Sequence, residues 1–368
     1  MSLLERQLQT ELQSLKTEAG RKFPKVREGA ERADRCLREI IDAGAASDTD
    51  VAAAVRRVGE MEEMLTPALL ALETKNAKFM SLGWGYMTRL ASYDALASSA
   101  FGSIAPALKM CVEGGGDEQV SLRVLQFVGA CLQAATLLSC RATVCLLVQS
   151  TLTLYASKSP IIANTAGATL RQGIATLFEF AAAAAKADAA SVAGTGTVDH
   201  EKINVAAVVL ADLSLLAVGE LPLLVQVKAH GNSDMLCLDV VDATLRAHSA
   251  LCMQNAPLRH VLQTVITPFL LRQLERNLAP KTREVRFGYA CRIARLSGAI
   301  LLLNSDSVES VTPEKAALVL VLLNLIGADV GMPLWQQQLY LETLCAYSLL
   351  PNKAQRFRLL FLVGAGKG

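Results

Sequence analysis

Apolar residues return along this chain at steps of three and four, and alternation with period two never persists. Leu4, Leu8, Leu12 and Leu15 form the first such stripe. After Gly20 a second begins near Pro24, with Val26, Ala30, Ala33, Leu37 and Ile40 on one face and Arg and Glu on the other. The same periodicity predicts helices over about 48–64, 67–79, 80–92, 94–112, 117–136, 139–157 and 160–187. It resumes over 200–219, 233–254, 257–277, 283–303, 313–327, 333–350 and 352–362. Thr66-Pro67, Asp117, Ser159-Pro160 and Thr312-Pro313 read as helix starts, and Gly114-Gly115-Gly116 as a stop.

Roughly fifteen helices with short connections predict an all-α protein. Helices of similar length that each bury one stripe on a neighbour predict an armadillo/HEAT-like α-solenoid, which needs little repeat identity. The segment 188–199, DAASVAGTGTVD, is small, polar and glycine-containing, and reads as a flexible linker between a helical domain at 1–187 and another at 200–368.

Composition makes this picture more apolar than usual: 52% of the residues are hydrophobic, 19% charged, and the mean hydropathy is +0.34. The apolar run 316–328 is too short to span a bilayer, and 124–140 is interrupted by Gln126, Gln133 and Thr136, so both read as buried helices. The first residues carry charge from Glu5 onward and show no apolar signal-peptide core. A net charge of +2 argues against a strongly basic nucleic-acid binder. Charge is nonetheless uneven, with seven Arg or Lys between Pro268 and Leu296 against Glu275 and Glu284.

Candidate chemistry is sparse. The nine cysteines lie mostly inside apolar runs without a CxxC and read as structural thiols of a reducing compartment. His248 and Cys252 share a helical face but have no third ligand, and His200 lies beside Asp199 and Glu201 at the linker edge; neither suggests a metal or a proton relay. The run FLVGAGKG ends like a phosphate loop, but Phe361 stands where the first glycine is required and Gly368 where the hydroxyl residue is required. No catalytic residue, metal or cofactor is predicted.

The stretch from Tyr155 to Phe180, YASKSPIIANTAGATLRQGIATLFEF, differs from its neighbours. Ile162, Ala166, Leu170, Ile174 and Leu177 or Phe178 share one face. Asn164, Ala168, Arg171 and Ala175 share the opposite one, flanked by Thr165 and Gln172. Small residues beside fork-shaped donors suit either a solvated back or a flat docking face.

This stretch resembles the hallmark helix of the DCB (dimerisation and cyclophilin-binding) domain of the large ARF guanine-nucleotide exchange factors and their Golgi relatives, the Mon-two scaffolds. The likeness rests on Asn164, Thr165, Ala166, Ala168, Thr169, Leu170, Gln172 and Phe178, following TLTLYASKS. The opening is similar too, in a basic-aromatic-Pro turn at Arg21 to Pro24 and in VREGAE from Val26 to Glu31. PLWQQQLYLETLCAYSLLPN looks like the homology-upstream (HUS) region with its leucine-rich stripe. The exchange factors' Asn-aromatic-Asp-Cys box is absent, the corresponding place reading VGAGKG, and no exchange domain is present. Both departures fit the Mon-two branch and equally fit a chain cut short.

The resemblance implies a non-enzymatic scaffold of Golgi–endosome vesicle trafficking, cytoplasmic and peripheral on Golgi, trans-Golgi or endosomal membranes. It would form a homodimer through its DCB-like region, be recruited by an Arf-like small GTPase, and engage other trafficking proteins. The alternative is the N-terminal regulatory half of a large exchange factor. Lys158, Asn164, Arg171 and Gln172 are the expected partner contacts. Arg283, Arg286, Arg292 and Arg295 are the expected contacts with anionic lipid, worth ~1 kcal/mol per basic residue near the surface, unless they merely solvate helix backs.

Overall fold

The computed structural model describes residues 2–46, 55, 58–114, 117–190, 200–225, 233–276, 287–303, 313–327 and 332–348. Among them it contains sixteen α-helices and no strand, so the all-α class read from the sequence is the observed one. No helix among the described residues is long and apolar enough to cross a membrane. The chain divides into two compact units, Met1–Phe180 with Val225–Val227 and Ala181–Leu224 with Lys228–Gly368.

The first unit holds α1 (Ser2–Ala19), α2 (Pro24–Ala46), α3 (Glu62–Glu73), α4 (Ala77–Ser92), α5 (Phe101–Glu113), α6 (Glu118–Cys131), α7 (Arg141–Tyr155) and most of α8 (Pro160–Ala190). Both opening stripes face inward: Leu8, Ala33 and Leu37 are fully buried and their stripe neighbours nearly so. α1 packs on α2 and α4, α3 on α4 and α5, α4 on α6, and α5 on α6 and α7. Contacts between next and next-but-one helices are the signature of stacked-helix arrays, in which each turn of the stack stabilises its neighbour. The turn at Arg21 to Pro24 has a packing role, because Phe23 sits 4.6 Å from Phe79 of α4, centroid to centroid.

The second unit contains α9 (His200–Leu216), α10 (Ser233–Ala247), α11 (Ser249–Gln254), α12 (Ala256–Val261), α13 (Thr267–Arg276), α14 (Phe287–Leu302), α15 (Pro313–Gly327) and α16 (Leu334–Ser348). The next-but-one pattern recurs here, α13 on α15 and α14 on α16. α10 and α14 are tied by carboxylates: Arg292 grips both oxygens of Asp239 at 2.8 and 2.9 Å, and the buried Asp242 accepts from Arg295 and Arg246, each at 2.8 Å. The likeness of α16 to a leucine-rich stripe stops at its buried face, which is Gln336, Tyr340, Leu344 and Tyr347, while Leu334 and Leu341 point outward. The Gln336 amide donates to the Tyr340 hydroxyl at 3.0 Å, which satisfies both buried polar groups.

Several boundaries differ from the periodicity. Thr66-Pro67 starts no helix; Pro67 lies inside α3, which begins at Glu62 with two glutamates favouring its positive N-terminal end. The break falls at Thr74–Asn76 rather than at 79–80, where Asn76 caps α4 by accepting from the Lys78 amide at 3.1 Å. The stretch 233–254 is broken at His248, and 257–277 passes through a π segment at Leu262–Ile266. Helix α8 runs to Ala190, carried by alanines into the segment read as linker, whose residues 191–199 lie outside the described set, as does the helix expected at 352–362.

Among the described residues two non-glycines take the left-handed conformation, Lys75 (φ 53°) and Asp94 (φ 54°). Asp94 has a local reason: its carboxylate accepts from the Thr136 amide at 3.3 Å and the Thr136 hydroxyl at 2.5 Å, tying two turns together. Lys75 has no side-chain partner among the described residues. Lys75→Gly is expected to raise stability by about 1 kcal/mol, since glycine adopts this conformation without steric cost. Thermal denaturation checks it, and a lowered midpoint would refute the strain.

Candidate functional site

Helix α8 is seated by glycines. A Cβ at Gly173 would lie 2.5 Å from Leu132 Cδ1, at Gly167 3.3 Å from the Tyr155 ring, and at Gly129 of α6 3.6 Å from the Thr169 methyl. The missing side chains at Gly173 and Gly167 let α6 and α7 approach α8 closely, whereas a Cβ at Gly129 would make only an ordinary contact. Ala166, Leu170, Leu177 and Phe178 are fully buried on this seat, and Ile162 and Ile174 nearly so. Ser159 opens the helix as its sequence suggests, accepting from the Ile162 amide at 3.5 Å and donating to Glu118 at 3.1 Å.

The two threonines of the hallmark motif turn inward on their own helix. The Thr165 hydroxyl donates to the Ile161 carbonyl at 2.8 Å and the Thr169 hydroxyl to the Thr165 carbonyl at 2.9 Å. Part of the motif therefore serves packing rather than contact.

The outer face carries Asn164, Ala168, Arg171, Gln172, Ala175 and Glu179, all exposed, with Lys158 and the 57% exposed Ile161 at its N-terminal end. None of Lys158, Asn164, Arg171 and Gln172 has a side-chain hydrogen bond or ion pair among the described residues. The structure thus brings these predicted residues to one helix and its entry turn, each presenting donors to solvent. Small residues at Ala168 and Ala175 keep the surface between them low. Such an arrangement can recognise a surface; it gathers no general acid, base or nucleophile.

The other predicted cluster is placed differently. Arg283 and Arg286 lie outside the described residues. Arg292 and Arg295 are described, and both are paired with carboxylates of α10. Hydrogen bonding to Asp239 raises the Arg292 pKa further above its ordinary value. Arg295 remains 58% exposed at its side chain despite its bond to Asp242, whereas Arg292 is 29% exposed.

No group of three or more His, Cys, Asp or Glu among the described residues could hold a metal. Cys252 is fully buried and its thiol is pushed up to about 12 by burial, which makes it a packing group. A polar groove of about 860 Å³ runs between α1, α2 and α4, and four of the charges along it pair with each other, Lys78 with Glu18 at 2.5 Å and Arg38 with Asp34 at 2.6 Å.

Residues 1–184 match the family described as Mon2/Sec7/BIG1-like, dimerisation and cyclophilin-binding (DCB) domain. The chain belongs to this DCB family. Curated relatives include the MON2 homolog of Homo sapiens, 31% identical over 172 residues, and that of Xenopus laevis, 31% identical over 177 residues. The Drosophila melanogaster MON2 homolog is 29% identical over 172 residues. Each of these matches covers 47% of the chain and 9% of the relative, so the chain aligns with less than a tenth of their length. The outer face of α8 lies within the DCB match. What sequence reading missed there is the glycine seat: nothing in the spacing of Gly129, Gly167 and Gly173 names Leu132 and Tyr155 as the groups they admit.

Proposed function

We propose that the chain is a non-enzymatic scaffold of Golgi–endosome vesicle trafficking of the Mon-two kind, self-associating through its DCB region and recruited by an Arf-like small GTPase. The observation that carries this reading is the outer face of α8, where Lys158, Asn164, Arg171 and Gln172 stand unpartnered on a helix locked from behind. A rigid seat lowers the entropy lost when such donors meet a partner. The DCB family's own description speaks of dimerisation, and the matching relatives are MON2 homologs, which supports the scaffold over the exchange-factor half. The protein works on the cytoplasmic side, peripheral on Golgi, trans-Golgi or endosomal membranes. Arg295 and the basic segment around it meet anionic lipid there. Co-sedimentation with neutral and anionic vesicles reads that contact, and equal binding to both removes it.

Arg171→Glu tests the α8 face. The position is exposed, so helicity should be unchanged and the unfolding free energy should stay within about 0.5 kcal/mol of wild type. Capture by a GTP-loaded Arf-like GTPase should fall roughly tenfold or more, as for a charge reversal at a contact. Capture indifferent to both the substitution and the bound nucleotide would reduce the face to a solvated helix back.

A further inference from the structure

In the second unit, the end of α9 leads into an apolar turn that the chain holds in place. The backbone turns over Gly219, at φ 74°, and the Gly219 and Glu220 amides donate to the Leu216 and Leu215 carbonyls at 3.1 and 3.0 Å. Leu221, Pro222, Leu223 and Leu224 follow. The Asp212 carboxylate is fully buried and accepts from the Leu223 and Leu224 amides at 2.7 and 2.9 Å. Proline has no amide to offer. The turn therefore gives most of its backbone donors to the protein while its side chains face out, Leu221 87% and Leu223 70% exposed. A loop in water has no need of this, because water satisfies an open amide; hydrocarbon cannot.

Two helices of the same unit bring apolar side chains to the same edge. The Tyr289 hydroxyl, in the first turn of α14, donates to the Ala217 carbonyl at 3.5 Å, which sets the head of α14 beside the base of the turn. Phe287 begins that helix and is 64% exposed, and its ring lies 4.9 Å from that of Trp335 at the head of α16, centroid to centroid. Leu334, beside Trp335, is 81% exposed. Farther along, Gly298 of α14 approaches Thr343 of α16, so the two helices run the same way and their heads lie together. Of the nine exposed large apolar side chains among the described residues, five gather here, Leu224 being the fifth; scattered singly they would need no explanation. Behind these tips stand the half-buried Tyr289 and Trp335 and the ion pair of Glu220 with Arg272 at 2.9 Å.

We propose that this edge docks on a lipid bilayer: the leucine turn and the heads of α14 and α16 enter one leaflet as far as the boundary between headgroups and acyl chains. The proposal rests on the peripheral-membrane part of the reading above and supplies its apolar element. Two observations favour lipid over a protein partner. The tips come from three separate elements, which a fluid layer accepts without a matched pocket for each. The turn's amides are already bonded within the chain, which hydrocarbon requires and a protein surface with acceptors of its own does not. The layering agrees, since leucines and Phe287 outermost, then Tyr289 and Trp335, then the ion pair follow the order of acyl chains, interface and water. Such a contact depends on apolar area and acts on neutral as on anionic lipid, while Arg295 adds the preference for negative charge.

The experiment uses the full chain and vesicles of phosphatidylcholine, with and without phosphatidylserine. Leu221→Asp with Leu223→Asp removes the tip of the turn; both positions are exposed, so circular dichroism and melting should match wild type. Wild type should float with both kinds of vesicle and stay bound at high salt, and the variant should bind each roughly tenfold or more weakly. Trp335 is a built-in probe: lipid brominated on its acyl chains should quench it in wild type and not in the variant, whereas Trp84, fully buried in the first unit, stays bright. A variant bound as wild type, or a Trp335 left unquenched on vesicles that carry the protein, overturns the docking edge. Binding to anionic vesicles alone, lost at high salt, overturns it too and leaves the arginine contact standing. Unchanged vesicle binding with weakened self-association makes the edge a protein contact and overturns it likewise. A wild type that binds neither kind of vesicle overturns this edge and the peripheral-membrane reading together.

Discussion

Replacing Leu170 with Asp is expected to unfold the surroundings of α8. Leu170 is fully buried at the middle of the helix face that packs toward α6 and α7. The substitution removes a leucine from a packed core and leaves a carboxylate without a partner there. Together these cost on the order of 5 kcal/mol, a large share of the total stability of a typical domain. Denaturant titration should show the first unit lost or melting far below wild type, and self-association should go with it. Wild-type stability would mean that the inward and outward faces of α8 have been exchanged. Set beside Arg171→Glu, one residue along, the pair separates fold from recognition: the first changes stability and everything downstream, the second only binding.

Gly173→Val carries the next largest effect. The new Cβ would lie 2.5 Å from Leu132 Cδ1 and 3.0 Å from its Cβ, and Leu132 is itself fully buried, so the side chain has nowhere to retreat. Overpacking of this kind costs about 2–3 kcal/mol. Relief comes by lifting α8 away from α6, which displaces Arg171 and Gln172 as well. The variant should therefore melt lower and, under the proposed recruitment, also capture a GTP-loaded Arf-like GTPase more weakly. Leu132→Ala, which makes room for the added side chain, should recover part of both losses. A Gly173→Val protein of unchanged stability would show that α8 is not seated as described.

Much of this was legible in the sequence because the stripes are simple. The leucines of α1, the stripe of α2 and both faces of α8 lie where a spacing of three and four places them. The outer residues Asn164, Arg171 and Gln172 followed from the same geometry. The missed features depend on partners distant in sequence. Pro67 read as a start, yet two glutamates upstream extend the helix past it. Nothing in the spacing marks out Asp212; its role appears only when the chain returns eleven residues later to donate two amides. Arg292 and Arg295 looked like free basic charge because Asp239 and Asp242 lie more than fifty residues away. The roles of Lys75 and Asp94 were invisible, since backbone conformation at a helix end leaves no compositional mark when glycine is absent.

In the proposed function, the outer face of α8 is the surface at which this DCB-family chain meets an Arf-like GTPase. The most direct measurement is the alkylation rate of a single thiol introduced there by Ala168→Cys, followed by mass spectrometry of the peptide that contains it. Ala168 is exposed between Asn164 and Arg171, so free protein should be labelled at the rate of an open thiol. Saturating GTP-loaded Arf-like GTPase should slow labelling at that position roughly tenfold or more, and the GDP-loaded form should not. Labelling unchanged by the GTP-loaded protein, under conditions where the complex is seen to form, would place recognition elsewhere and contradict the account.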